Sequence, residues 1–226
     1  VTVLAATPWR TNAEMIEAVV ELGLIKPTDR IVDLTFGRGK WWTNYKHSGE
    51  LWANVDPAAD DSVLADIFAR LGVQHWTCRD YTDADAWFTL RQQFDVVVFD
   101  PPYVSMGGRD TSTIPEFMDR YGLKGAAASP ARLHDYNFEG MRVAYDLLRP
   151  GGFVMTKVMD YVSSGRLQPA AHWMYRDATD VLGMLLHERL IHLGHSRAQP
   201  PGRSQQHARN NYSMLYIFQK PSKGSR

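Results

Sequence analysis

Val96-Val97-Val98-Phe99-Asp100-Pro101-Pro102-Tyr103 is the stretch on which the reading of this chain turns. An unbroken apolar run rich in valine describes a strand buried on both faces, as in a parallel sheet. Pro101 and Pro102 cannot donate to a sheet ladder, so the strand stops at Asp100. The carboxyl ends of strands are where open α/β sheets bind ligands. A carboxylate, a rigid diproline and an aromatic ring therefore stand where chemistry is expected. A planar exocyclic amine could donate to Asp100 and to a proline-linked carbonyl while Tyr103 stacks on the ring. The plain alternative is a turn, since Asp-Pro is a common turn opener.

Working outward, strand-like and helix-like segments alternate. Residues 11–24 carry Met15, Val19 and Leu22 at helical spacing behind the N-cap candidates Thr11 and Asn12. Strands are predicted at 30–35, 51–55, 74–79, 94–99 and 153–157, with helices at 61–71, 84–92, 133–148 and 171–185. Such alternation implies an α/β fold with a mostly parallel sheet covered on both faces. Two last strands, 186–194 and 212–219, lie so close together in sequence that an antiparallel pair is expected. The length of 226 residues suits a single domain spanning 1–226. Two loops, 104–130 and 196–211, are long enough to recognise a substrate.

Composition narrows the function. Lys plus Arg equals Asp plus Glu at 25 each, so no global positive field draws in a polyanion, and any nucleic-acid contact must be local. The single cysteine, Cys78, excludes an internal disulfide and leaves no cysteine cluster for zinc. No metal site is expected, and a reducing, cytoplasmic setting fits best. There is neither a membrane-length apolar run nor the layout of a signal peptide, so no membrane partner is expected.

A second strand end carries a glycine turn, Ile31-Val32-Asp33-Leu34-Thr35-Phe36-Gly37-Arg38-Gly39. Glycines there let backbone amides approach a ligand, and a following helix N-terminus would favour an anion. Trp42 stands where G-x-G-x-x-G needs its third glycine, which disfavours dinucleotide cofactors. Asp56 closes the next strand, where a carboxylate can accept ribose hydroxyls, and Asp80-Tyr81 closes the third, where an adenine amino group could donate. Each alone reads equally well as a turn residue. Trp41-Trp42 reads as core packing or cofactor cover.

Taken together, these residues resemble class I S-adenosylmethionine-dependent methyltransferases, and within them the nucleobase amino-methyltransferases with a DPPY motif. The resemblance covers nearly the whole chain. It implies a Rossmann-like, seven-stranded, mostly parallel sheet with helices on both faces and a C-terminal antiparallel hairpin. Asp33, Gly37 and Gly39 resemble the family's first motif, with Thr35 and Phe36 beside them; Phe stands one place later than in many base methyltransferases. Asp56 resembles the ribose-binding acid, Asp80 with Tyr81 the adenine side, and Thr7-Pro8 the segment over the methionine end of the cofactor. Arg149-Pro150-Gly151-Gly152 resembles the turn before the fifth strand. Asp100, Pro101, Pro102 and Tyr103 resemble the catalytic motif.

The implied cofactor is S-adenosyl-L-methionine, and the implied reaction is direct methyl transfer to an exocyclic nitrogen. Carbon methylation would need a thiolate, and Cys78 reads as a small buried hydrophobe instead. Adenine N6 in DNA is the leading target, with a nucleic-acid partner, DNA favoured over RNA. An RNA base amino group, cytosine N4, a small-molecule amine or an inactive nucleic-acid-binding scaffold are the alternatives. A target within a duplex must first be flipped out. Arg197, Arg203 and Arg209, in a loop without acidic residues, could track phosphates, although such composition also suits a plain solvated loop. Arg109 in the long loop and Lys157 at the fifth strand end could border the target pocket.

Overall fold

A computed structural model describes residues 9–55, 60–102, 129–194 and 211–222. Its sheet contains β1 (Arg30–Asp33), β2 (Glu50–Asn54), β3 (His75–Thr77), β4 (Phe94–Phe99), β5 (Leu148–Val158), β8 (Leu185–Leu193) and β9 (Tyr212–Gln219). The order is β3-β2-β1-β4-β5-β9-β8, with β1 to β5 parallel and β9 antiparallel to both of its neighbours. This is the expected mostly parallel sheet with its C-terminal hairpin. Chain order reverses between β1 and β4, which makes their carboxyl ends the switch-point crevice of the fold.

Period-two alternation sends the strands' side chains into two cores. On one face Ile31, Val96, Val98 and Met155 pack with helix α1 (Asn12–Glu21), helix α2 (Asp61–Leu71) and Trp41, Trp42 and Tyr45. On the other, Val32, Val97, Phe99 and Val154 pack with α3 (Pro130–Leu147) and α4 (Ala170–Arg176). Val96, Val97, Val98 and Phe99 are all fully buried, as their sequence predicts. A capping box starts α1: Glu14 N–H donates to Thr11 Oγ1 at 3.1 Å, and Thr11 N–H to Glu14 Oε2 at 3.2 Å.

Three expectations are corrected and one element is added. No helix follows Gly39: Gly39, Trp42 and Tyr45 each donate three residues back, giving successive tight turns, and the buried indoles fill the space a helix would cover. The helix expected at 84–92 shrinks to a 3-10 turn, Phe88–Leu90, because Asp83 Oδ1 accepts from the Asp85 and Ala86 backbone and competes with helical bonding. A hairpin of β6 (Tyr161–Ser163) and β7 (Arg166–Gln168) was not foreseen; its turn uses positive φ at Ser164 and Gly165. Cys78 is exposed rather than buried, because it lies just past β3, the short edge strand.

Beyond α4 a π-helical turn, Asp177–Val181, is tied back to α3 by His134 Nε2 and Asp177 Oδ2 at 2.7 Å, with the His134 ring stacked on Trp173. The hydrogen bond that Asp177 accepts raises the His134 pKa above its ordinary value. A histidine with a raised folded-state pKa contributes stability that is complete below the unfolded pKa and lost as pH rises through the folded one. His134→Gln is therefore expected to cost under about 1 kcal/mol, since the pair is partly exposed. Urea unfolding is expected to show the gap at about pH 6 and to show it closing at about pH 9.

Candidate active site

The ladder itself assembles the centre of the site. Phe99 pairs with Thr156 across β4 and β5, so the next residues in register, Asp100 and Lys157, face each other. Alternation places both on the α1 face, which Asp33 of β1 shares. Lys157 Nζ lies 4.0 Å from Asp100 Oδ2 and donates to Asn12 Oδ1 at 2.9 Å. It also sits 5.9 Å from the centre of the Trp41 ring. Lys157 is 6% exposed, whereas the Asp100 side chain is 20% exposed. Asp100 Oδ1 is buried and makes no hydrogen bond among the described residues. Burial raises the Asp100 pKa, and the Lys157 charge and the Trp41 indole oppose that rise.

At the β1 side, Asp33 is fully buried and holds the glycine turn together. Its Oδ1 accepts from Thr35 N–H at 2.9 Å and its Oδ2 from Trp42 Nε1 at 2.8 Å. Burial pushes its pKa up to about 7 against those hydrogen bonds, with the Asp100 charge adding to the rise. Thr35 Oγ1 accepts from Asp100 N–H at 2.7 Å, so one hydroxyl joins the two strand ends across the crevice.

The residues of the glycine turn differ in surroundings. Phe36 is buried against Phe68. Gly39 has φ +64, and a Cβ there would lie 2.5 Å from Leu71 Cδ1 and 2.8 Å from Phe36 Cζ, so packing requires its bareness. Gly37 has φ +53, and among the described residues only Thr35 O, at 3.8 Å, lies near its would-be Cβ. Backbone at Gly37 can thus be approached closely by a ligand.

Asn54 ties the ends of β1 and β2 to the chain leaving β3. Its Nδ2 donates to Leu34 O and Arg79 O, both at 3.0 Å, and its Oδ1 accepts from Arg79 N–H at 2.9 Å. This sets the position of Asp80, which is exposed and accepts from Thr82 N–H and Oγ1 at 2.8 and 2.7 Å. Tyr81 is buried edge-to-face against Phe99 and Tyr136, with a hydroxyl unpaired among the described residues. At the diproline, Pro101 is buried, and Asn137 of α3 donates to Pro102 O at 2.9 Å. Gly140, one helical turn on, lets α3 come this close, since a Cβ there would lie 2.5 Å from Phe99 Cζ.

Thr7, Pro8, Asp56, Tyr103, Arg109, Arg197, Arg203 and Arg209 lie outside the described residues, as does nearly all of the loops 104–130 and 196–211. Asp33, Thr35, Asp100, Pro101 and Lys157 meet at the crevice. Gly37 and Asp80 flank it along the strand ends. Sequence reasoning missed Asn54 and Asn137 as clamps, and it used Asn12 only as a helix cap. A buried asparagine beside a strand end or on an apolar helix face is the signal that could have flagged the clamps.

No protein-family model matches the sequence, and no curated protein matches it. Solved structures do match. TrmN from Thermus thermophilus aligns with 90% of this chain at 16% identity and a TM-score of 0.52. This chain spans about half of the TrmN chain, 47%. A SAM-dependent methyltransferase from Methanosarcina mazei aligns with 90% of this chain and 97% of its own at 9% identity, TM-score 0.53. An rRNA methylase from Streptococcus thermophilus aligns with 96% of this chain and 100% of its own at 13% identity, TM-score 0.51. Strand order, the glycine turn at the switch point and these superpositions agree that the chain has the Rossmann-like fold of class I S-adenosylmethionine-dependent methyltransferases.

Proposed function

We propose that this protein is an S-adenosylmethionine-dependent methyltransferase acting on an exocyclic amino group of a nucleobase, adenine N6 in DNA first among the candidates. The observation that carries this reading is Asp100 Oδ1, a buried acceptor at the switch-point crevice without a hydrogen bond among the described residues. Leaving such a group unpaired costs about 1–3 kcal/mol, which an N–H from a bound amine would recover.

The crevice suits the donor. Backbone at Gly37, the clamp that sets Asp80 and the partly exposed Asp100 carboxylate suit a ligand with amino, hydroxyl and cationic groups, and buried Asp33 holds the glycine turn in place for it. S-adenosylmethionine supplies an electrophilic methyl group on a sulfonium. The chain's own share is positioning. Thr35 fixes the Asp100 backbone, Asn137 fixes the Pro102 carbonyl, and Asp100 Oδ1 accepts one amine N–H so that the nitrogen lone pair is turned outward. As the nitrogen gains its methyl group it sheds a proton, which Asp100 can hold before passing it to water. A thiolate attack has no candidate here: Cys78 follows β3, separated from β4 by β2 and β1, about 14 Å at ordinary strand spacing.

An RNA base is the second reading, favoured by the whole-length likeness to a structure described as an rRNA methylase. Methyl-labelled donor incubated in parallel with duplex DNA, single-stranded DNA and total RNA, followed by digestion to nucleosides and mass spectrometry, tests both. Labelled N6-methyldeoxyadenosine is the expected product. Label only in N6-methyladenosine moves the target to RNA, and no label in any polymer contradicts a polynucleotide substrate.

A further inference from the structure

We propose that Lys157, itself held by Asn12, is the positioning residue of this site: it keeps Asp100 a carboxylate whose Oδ2 faces the ammonium and whose Oδ1 is left for the target amine. This rests on the methyl-transfer reading above.

A lysine 6% exposed has lost most of its water, a cost that persists only where partners offset it. The Lys157 ammonium has three such partners: a hydrogen bond to Asn12 Oδ1 at 2.9 Å, the Trp41 ring face at 5.9 Å and Asp100 Oδ2 at 4.0 Å. The last distance matters. At 4.0 Å the charges attract without a direct hydrogen bond between Lys157 and Asp100, whereas a close pair would take up the carboxylate's acceptor capacity. Asn12 sits in the first turn of α1, so the lysine spans from the helix to the β5 end and cannot swing towards the crevice without leaving it. The charged and titratable groups around this pair come from each packed element. The Asp100 charge raises the pKa of Asp33 of β1, while Lys157 of β5 and the Trp41 indole favour ionisation of Asp100 against its burial. His192 of β8 has its own pKa lowered by burial and by the Lys157 charge, while Glu14 of α1 opposes that lowering. Lys157 is thus the cation of this cluster that faces Asp100, and no other lysine or arginine lies within ion-pair distance of it among the described residues.

Lys157→Met keeps the aliphatic stem and removes the charge, and Lys157→Arg keeps the charge. The Asp100 carboxyl is followed by NMR in protein carrying 13C-labelled aspartate carboxyls, and kcat is followed against pH. In Lys157→Met the Asp100 midpoint is expected to rise by about one pH unit or more, with the acid limb of kcat moving by the same amount. Lys157→Arg is expected to restore both, and donor affinity is expected to stay within about twofold. Asn12→Ala, which frees the ammonium without removing it, is expected to move the midpoint in the same direction by less, and it serves should Lys157→Met not fold. An unmoved Asp100 midpoint in the folded variants, or a kcat lowered by one factor at every pH, overturns the proposal. The NMR titration needs no turnover. A midpoint that moves in a protein that methylates nothing upholds the charge link and sinks the methyl-transfer reading; turnover with an unmoved midpoint does the reverse.

Discussion

Asp100→Ala is expected to lower methyl transfer by at least about 100-fold to 1,000-fold, the usual cost of losing one preorganised polar group that steers the reacting atom. Donor binding is expected to stay within a few-fold of wild type, because Gly37 and the Asn54 clamp that sets Asp80 do not depend on this side chain. The alanine variant also strands Lys157, whose charge is almost wholly buried, so its stability falls too. Asp100→Asn separates the two effects. It keeps the shape and one acceptor oxygen but gives Lys157 no charge, so activity is expected to fall with less loss of fold. Equal turnover in Asp100→Asn and wild type, measured as methyl incorporated per enzyme, contradicts a need for the carboxylate.

Gly39→Ala is expected to produce the largest loss of stability among single-atom changes at the site. Left-handed backbone at φ +64 costs alanine about 1 kcal/mol or more. The new Cβ would sit 2.5 Å from Leu71 Cδ1 and 2.8 Å from Phe36 Cζ, and overpacking of this kind costs about 1–3 kcal/mol. The sum, about 2–4 kcal/mol, corresponds to a drop of roughly 5–15 °C in the thermal midpoint for a chain of this size. Gly37→Ala is the control, with a similar φ of +53 but no crowding of the Cβ by the described residues. It is expected to lose only about 1 kcal/mol of stability, with its larger effect on donor affinity. Calorimetric unfolding and donor titration of the two variants read both halves of this contrast, and equal destabilisation of the two contradicts it.

These two glycines mark how far a sequence can be read. Both stand in one strand-end turn, and both look alike as backbone that a ligand can approach. Among the described residues only Gly37 is uncrowded, because Leu71 arrives over Gly39 from α2, a contact made across thirty-two positions of chain. Periodicity and strand-end logic revealed what is local. The apolar run before Asp100 is the central β4 of a mostly parallel sheet, as the alternation of elements implied, whereas its place beside β1 at the switch point is read from the sheet order. The partnership of Asp100 with Lys157 depends on the β4–β5 register, which residue types alone do not set when both strands are buried on both faces. Trp42 read as packing or cover, and its indole nitrogen turns out to bind Asp33; that requires the turns after Gly39 in place of the expected helix. Asn137 reaches Pro102 across a long span of sequence, through a close approach of α3 that Gly140 permits. Such nonlocal clamps leave only a buried polar residue as a trace.

Direct movement of a methyl group to an exocyclic nitrogen held by Asp100 is the step on which the proposed function rests. The measurement closest to it uses a donor with a 13C methyl group and an oligonucleotide whose adenine carries 15N at N6. One-bond 13C–15N coupling in the product, present with wild type and lost with Asp100→Ala, is the expected result. A 13C methyl bonded to carbon or to a ring nitrogen, or coupling that survives in Asp100→Ala, would contradict the account.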